Sequence, residues 1–444
     1  MKIFYTIFSK KIIGIVFISL MFLNARAQQI LTLNEALKLA LENNFSIQVA
    51  KNEAEISKNN NYAGAAGMLP TIAASANQDN VVNNTQQKFL NGTENNRDDA
   101  KSNQLNTGVE LGWTIFDGLK MFATKNKLNQ LQEIGELKMK LQIEQVFSKV
   151  TRAYFEIVQH KKVLNALQQS VTISSERLKL TNDKFTLGKV SKAEVLKAQV
   201  DLNTDKSAYM KQLNSLQNAK INLNQLLARS LIVDFEVAEN ILMNKDLKLA
   251  ELQNKAKLQN TNLLIIKKNN QISSNTINEI KAERLPTLQF KTGYNFNKQS
   301  SEAGFLQSSQ TNGFHYGAAI NFNLFNGFNT DRRITNAMLN LKSTDITLKD
   351  SLQKLDLAVQ QTFNNYSLAL QLLAIEIENI DLAKNSFELV NEQYKVGLIT
   401  AIELRDVQQK LLLSETQLSA LQLDAKIAEI ELQKLCAEIT KMID

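Results

Sequence analysis

Proline is almost missing from this 444-residue chain, occurring only at Pro70 and Pro286. A proline inside a helix removes a hydrogen bond and clashes with the preceding turn, so nothing outside those two points forbids very long helices. Cysteine is scarcer still. Cys436 stands alone, which excludes an intramolecular disulfide and suits a small packed residue near a helix end. Only His160 and His315 supply imidazole, too few for zinc-type ligand spacing. His160 is expected on a helix face and His315 in a lumen or loop position leading into the last strand, with no role for either. The chain also offers no phosphate-cradling glycine loop and no nucleophile with a nearby base, so neither an enzyme nor a cofactor site is expected.

Long apolar runs are missing as well. The one apolar stretch, residues 12–23, follows Lys10 and Lys11 and precedes Ala25-Arg26-Ala27. It falls short of the ~20 residues that a membrane-crossing helix needs. Basic residues, a short apolar core and a small-residue cleavage site predict a secretory signal peptide over 1–27. The mature chain would begin at Gln28, with no cysteine there to carry a lipid anchor, so any membrane attachment must come from the fold itself. Losing Lys2, Lys10, Lys11 and Arg26, with no acid among residues 1–27, lowers the net charge from +7 to +3. Acids and bases are interspersed through the remainder, which leaves no electrostatic footprint for nucleic acid.

What is present is a duplication. Leu69-Pro70-Thr71 and Leu285-Pro286-Thr287 each follow a helical pattern and precede an alternating one. Phe116-Asp117-Gly118-Leu119 recurs as Phe325-Asn326-Gly327-Phe328, and Phe185-Thr186-Leu187-Gly188 as Tyr394-Lys395-Val396-Gly397, both displaced by 209 residues. Each half is far longer than a solenoid unit, so one integrated domain of two repeats, 28–230 and 231–444, is expected.

Period-two alternation marks strands. Val109, Leu111, Trp113 and Ile115 alternate with Glu110, Gly112 and Thr114. Leu288, Phe290, Tyr294 and Phe296 alternate with Gln289, Lys291, Gly293 and Asn295, and Tyr316, Ala318, Ile320, Phe322 and Leu324 with Gly317, Ala319, Asn321 and Asn323. Ile72, Ala74 and Ala76 give a weaker fourth. Strands are therefore predicted over about 71–79, 105–117, 287–297 and 314–325, joined pairwise by polar loops at 80–104 and 298–313. A soluble sheet with one face on a core would also alternate. However, these strands have the length of a tilted membrane strand, carry aromatics toward several ends, and are joined by long polar loops of the kind found on the outer face of a barrel. Four strands cannot close a barrel and a bilayer tolerates no open edge, so several chains must contribute to one barrel. Glu110, Lys291, Asn295 and Asn321 would then line a wet lumen. Physics alone does not choose the number of chains.

After each second strand a helical pattern runs ~70 residues, or about 105 Å, to Gly188 or Gly397. Both glycines suit a left-handed C-cap. Ser191 and Glu194, then Thr400 and Glu403, have the spacing of a capping box, so helical hairpins are predicted to turn at 188–191 and 397–400. The returning helices carry apolar seams: Leu404, Val407, Leu411, Leu418, Leu421, Ala425, Ala428, Leu432 and Leu435, interrupted by Ser414, and Val195, Ala198, Leu202, Tyr209, Leu216, Ala219, Leu223 and Leu226, interrupted by Asp205 and Gln212.

These landmarks, with the opening Leu31-Thr32-Leu33-Asn34-Glu35-Ala36-Leu37 and its own Thr32/Glu35 capping box, resemble the TolC-like outer-membrane efflux family over residues 30–440. The resemblance implies an α+β membrane protein. Three copies, four strands each, would build one 12-stranded barrel in the outer membrane of a Gram-negative bacterium, continued by a coiled-coil helical tunnel across the periplasm. It further implies a passive exit duct for efflux or type I secretion. The hairpin turns, at Phe185, Gly188, Ser191, Glu194, Tyr394, Gly397 and Thr400, would dock a periplasmic adaptor linked to an inner-membrane RND or ABC pump. Glu403 and Asp406 fall where the family closes its periplasmic mouth with acids. Capping also accounts for Glu403, whereas the first-half counterpart of Asp406 is Lys197, of opposite charge. Ile399 stands where some members carry an arginine that ties the closed tip. A structural coiled-coil envelope protein, or a periplasmic adaptor without channel activity, is the alternative.

Overall fold

The computed structural model describes residues 30–244, 246–304 and 306–443; the expected signal peptide lies outside them. The elements run β1 (Ile30–Leu31), α1 (Leu33–Asn43), α2 (Phe45–Asn59), β2 (Thr71–Lys88), β3 (Glu94–Asp117), α3 (Lys120–Thr186), α4 (Lys192–Leu226), β4 (Glu236–Val237), α5 (Leu249–Gln259), α6 (Thr261–Ala282), β5 (Thr287–Ser301), β6 (Ser308–Asn321), α7 (Asn329–Val396) and α8 (Ala401–Leu435), before a short 3-10 turn at Ile439–Ile443. With no proline to interrupt them, α3 reaches 67 residues and α7 68. Among the described residues no helix is long and apolar enough to cross a membrane.

Residues pack into two compact units, each drawing on both sequence halves. One takes residues 30–50, Met139–Thr261 and the chain from Leu352 onward; the other takes Lys51–Lys138 and Asn262–Ser351. The long helices carry each half of the sequence through both units.

In the first unit, β1 and β4 pair in parallel through Ile30↔Glu236 and Leu31↔Val237. Around them, Leu37, Phe147, Val150, Ile157, Leu223 and Phe235 are buried in one core. Each such side chain contributes about 1.5–3 kcal/mol by leaving water. The Tyr154 hydroxyl ties the small sheet to α3: it donates to the Leu31 carbonyl at 3.0 Å and accepts from the Ala238 amide at 3.1 Å. Cys436, fully buried, ends α8 as expected of a packed residue, and burial pushes its thiol up to about 11.

The second unit holds an antiparallel sheet of order β2-β3-β5-β6. Pro70 and Pro286 each sit immediately before a strand, where the missing amide leaves no hole in the ladder. The polar stretches 80–104 and 298–313, expected as loops, are mostly strand: β2 and β3 pair continuously out to Lys88↔Glu94, apart from one irregularity after Asn83, and β5 and β6 out to Ser300↔Ser308. Backbone pairing needs no apolar alternation, which is why the pattern missed these extensions. The fourth strand also stops at Asn321, so Phe322 and Leu324 lie beyond it. A bulge between Thr114 and Phe116 re-registers the end of β3.

The ladder assigns the two faces. Glu110 lies opposite Gly293, Gly112 opposite Lys291, Gly108 opposite Asn295, and Asn321 opposite Thr287. With a side-chain period of two, Glu110, Lys291, Asn295 and Asn321 therefore share one face. Ile72, Val109, Trp113, Phe290, Tyr316 and Ile320 share the other, where all but Phe290 are exposed. Both edge strands, β2 and β6, have no neighbour on their outer side among the described residues.

Candidate functional site

The first unit contains the ends of both helical hairpins, and the local sequence dictates how each end turns. Gly188 and Gly397 adopt φ of +70° and +87°, a region that other residues enter at a cost. Around each, two bonds close the helix. The Gly188 amide donates to the Phe185 carbonyl at 2.9 Å and the Lys189 amide to the Lys184 carbonyl at 2.9 Å; the Gly397 amide donates to Tyr394 at 3.1 Å and the Leu398 amide to Gln393 at 2.9 Å. This 6→1 and 5→2 pattern is a Schellman motif.

The returning helices start differently from one another. At α8 the capping box is complete: Thr400 Oγ1 accepts from the Glu403 amide at 3.3 Å, and Glu403 Oε2 accepts from the Thr400 amide at 2.9 Å. At α4 the Ser191 hydroxyl accepts from the Glu194 amide at 3.4 Å, and no reciprocal bond is formed. The box expected at 191–194 is thus half present. The Glu403 carboxylate is occupied in capping, whereas Asp406 is exposed and pairs with Lys410 one turn on, at 2.7 Å.

Above the turns the helices meet through a polar seam. Ser170, Ser174, Arg177, Thr181 and Lys184 follow one another on α3 at alternating four-and-three spacing, which places them on one stripe; the first four are buried. Ser174 donates to Asp205 of α4. Arg405 of α8 forks onto the same carboxylate at 2.7 and 2.8 Å. Gln408 Nε2 reaches the Ser170 carbonyl at 3.1 Å and the hydroxyls of Ser170 and Ser174 at 3.0 Å. Nearer the turn, Arg177 bonds Asp201. The Thr181 and Tyr394 hydroxyls lie 3.1 Å apart, and Lys184 Nζ donates to the Tyr394 carbonyl at 3.0 Å, 4.2 Å from its ring centroid.

Burial alone would raise the Asp205 carboxyl pKa. The Arg405 fork and the hydroxyls of Ser174 and Ser170 outweigh burial and hold it below the ordinary carboxylate range, and the same fork raises Arg405. The network is not fully satisfied: Nε of Arg177, Nε of Arg405 and Oε1 of Gln408 are buried without partners. A partly satisfied polar seam holds a bundle less firmly than an apolar one. A cleft of about 790 Å³ opens beside it, and Glu194, Tyr394, Gly397, Thr400 and Asp406 of the expected site residues are on its wall, with Ile399. Phe185, Gly188, Ser191 and Glu403 are at the turns but not on that wall.

The expected apolar seams explain only part of this packing. Leu404, Leu411, Ala425, Ala428 and Leu432 are buried, but so are Gln408 and Ser419, while Val407 and Leu418 are half-buried. Asp205, expected as an interruption, is the centre of the network, and its partner Arg405 lies outside the expected site residues. A signal existed: the 209-residue offset matches Asp205 with Ser414 and Arg405 with Leu196, so the polar pair breaks the internal symmetry at both positions. His160, half-buried, accepts the Gln212 amide group at its carbonyl and lies 3.1 Å from it at Nδ1.

Comparison with known proteins agrees with this architecture. A family model described as "Outer membrane efflux protein" matches residues 36–229 and 252–438. The Outer membrane protein TolC of Vibrio cholerae is 20% identical over 296 residues, 66% of this chain and 68% of that protein. That of Escherichia coli is 21% identical over 332 residues, 72% and 66% respectively. The chain thus spans about two thirds of the length of the curated relatives it matches. Among solved structures, the CmeC outer membrane channel of Campylobacter jejuni superposes with a TM-score of 0.78 at 16% identity, over 93% of this chain and 88% of that one. The open state of the MtrE outer membrane channel of Neisseria gonorrhoeae gives 0.73 at 17% identity, over 91% and 88%.

Proposed function

The chain belongs to the outer membrane efflux protein family, and from that premise we propose that three copies form one exit duct: a 12-stranded barrel in the outer membrane, four strands per chain, continued by a helical tunnel into the periplasm. The family is one of outer-membrane efflux channels rather than enzymes, and no catalytic step is assigned. The observation that carries the reading is the sheet in the second unit. It has one apolar face with exposed Trp113, Tyr316 and Ile320, one polar face, and two unpaired edges. An apolar face of this kind suits lipid, the polar face suits a wet lumen, and the edges pair only if another copy supplies strands.

The hairpin ends form the periplasmic mouth. Phe185, Gly188, Ser191, Glu194, Tyr394, Gly397 and Thr400 present the surface on which a periplasmic adaptor docks, coupling the duct to an inner-membrane RND or ABC pump. Asp406 is the gate acid: three copies around one axis favour cations at the constriction. Glu403, held by its cap, contributes mainly by fixing the start of α8. An exposed ion pair is worth little in water, so Lys410 leaves the Asp406 carboxylate available.

Single-channel recording of the purified protein in planar bilayers tests the proposal. Small, cation-selective openings are expected from the wild type, with higher conductance or weaker cation preference from Asp406→Ala. Well-folded, membrane-inserted oligomers that never conduct would refute the duct and favour a structural envelope protein. Unchanged conductance and selectivity in Asp406→Ala would refute the gate.

A further inference from the structure

The sheet is longer than a membrane needs, and its far end has a different composition. On its apolar face the rows run from Leu288–Ile320 to Ala76–Thr107–Phe296–Asn312. Between Leu288 and Phe296, β5 rises about 27 Å along its axis, or about 20 Å across a membrane at a strand tilt of about 40°. That is close to the apolar band of about 25 Å that outer-membrane barrels carry. The strands do not stop there. At the end of the sheet opposite to α3 and α7, β3 continues from Leu105 to Glu94, about 37 Å further along its axis and about 28 Å further in height.

Beyond the row Asn77–Asn106–Asn297–Thr311, the apolar residues among the described strand positions are Val81, Val82, Ala100 and Leu105 alone. Both faces of this extension are therefore polar. Polar groups left unsatisfied among acyl chains are costly, so the extension stands outside the hydrocarbon region as a collar.

The outer face of the collar continues the apolar face below it, because side chains repeat with a period of two. Its first two rows read Gln78–Leu105–Lys298–Gln310 and Asn80–Asn103–Ser300–Ser308, and Lys101 follows opposite Val82. Lys298 and Lys101 are exposed and belong to β5 and β3, the two inner strands of the sheet. Across from Lys298 stand Leu105 and Gln310, and along its strand Phe296 and Ser300, so its ammonium has neutral neighbours on β3, β5 and β6. Glu302, next to Lys101, turns its carboxylate onto the Lys101 backbone amide at 3.1 Å. Higher on the collar, Lys88 and Glu94 pair at 2.8 Å. With a strand rise of about 3.4 Å and a strand spacing of about 4.8 Å, Lys298 and Lys101 stand about 14 Å apart. One phosphate cannot bridge them, whereas an oligosaccharide carrying several anionic groups can.

The family resides in the outer membrane, whose outer leaflet is a glycolipid with acidic, phosphorylated sugars directly above its acyl chains. We propose that the outer face of the collar is a docking surface for that saccharide headgroup, with Lys298 and Lys101 pairing its anionic groups and Gln78, Asn80 and Asn103 bonding its hydroxyls. Basic side chains just outside an apolar band recognise anionic headgroups, and side-chain amides supply both the donor and the acceptor that a sugar hydroxyl uses. The inference rests on the duct proposed above, which sets the sheet in the outer membrane with the collar outward.

The test is the lipid retained by whole trimers, counted by native mass spectrometry after detergent extraction. The trimers are first placed in phosphatidylcholine vesicles doped with equal amounts of phosphatidylglycerol and a lipopolysaccharide truncated after its inner phosphorylated sugars. Wild-type trimers are expected to keep the lipopolysaccharide in preference to phosphatidylglycerol. The double variant Lys101→Gln, Lys298→Gln is expected to keep at least about threefold less, at an unchanged unfolding temperature. Lys88→Gln, whose charge Glu94 already matches, is expected to keep the wild-type amount. Equal retention by the wild type and the double variant would overturn the docking surface. Equal retention of the two lipids would also overturn it, by reducing the contact to attraction for any anion, and so would full displacement by millimolar inorganic phosphate. Trimers that conduct yet keep no lipopolysaccharide would overturn the collar's role and leave the duct standing, whereas folded, inserted trimers that never conduct would refute the duct.

Discussion

Arg405 grips Asp205 across 200 positions of sequence, by two parallel bonds of 2.7 and 2.8 Å in a setting where both side chains are nearly buried. The pair joins the returning helix of the second hairpin to that of the first, and Ser174 of α3 completes the contact. Its counterparts under the internal offset, Ser414 and Leu196, could form no such pair. The two hairpins are therefore chemically unequal just above their turns.

Removing one member of a buried ion pair leaves the other charge stranded, at a cost of about 3–5 kcal/mol. Arg405→Ala is expected to lose stability on that scale in thermal or denaturant unfolding of the detergent-extracted protein. The double variant Asp205→Leu, Arg405→Met replaces the pair by apolar groups and is expected to lose much less. Equal losses in the single and double variants would show that the penalty lies elsewhere.

Because the Asp205 pKa is held below the ordinary carboxylate value, its contribution is present above that value, about 4, and is lost as pH falls through the lower folded value. Amide exchange at the hairpin ends, corrected for intrinsic rates, should stay constant from about pH 8 to 5 and accelerate only below about 4. Asp205→Asn should remove that acid step. Loosening between pH 7 and 5 would point to another group.

The two caps predict unequal effects at matched positions. Thr400→Ala breaks a complete box and should cost about 1 kcal/mol, with fraying at the start of α8. Ser191→Ala removes one long bond of 3.4 Å and should cost clearly less. Gly397→Ala, forced to hold φ near +87°, should cost about 1 kcal/mol or more. Unfolding of the three variants measured together decides the order, and an equal cost for Thr400 and Ser191 would contradict the cap assignment.

Much of this architecture is a direct consequence of local sequence. With only Pro70 and Pro286 to stop them, helices of 67 and 68 residues could form, and both prolines fall immediately before strands. Gly188 and Gly397 end helices because the left-handed conformation is cheap for glycine alone. Alternation about Glu110, Lys291, Asn295 and Asn321 put these four on one face because a strand has a side-chain period of two. These features depend on neighbours a few residues apart, which is the range that sequence patterning can report.

Other features depend on distant partners and were settled only by packing. The polar ends of the strands pair because the opposing backbone is in register, which hydropathy does not encode. Asp205 interrupts an apolar stripe when read along α4, yet becomes the centre of a network once Arg405, 200 residues later, reaches it. The setting of His315 likewise appears only when β3, β5 and β6 align Glu110, Gly293 and His315 in one row. Sequence determined which elements form and where the long helices end, because those choices are local. Tertiary structure decided which buried charges meet and which face of the sheet becomes a patterned wall, because those contacts are made between segments that sequence proximity does not connect.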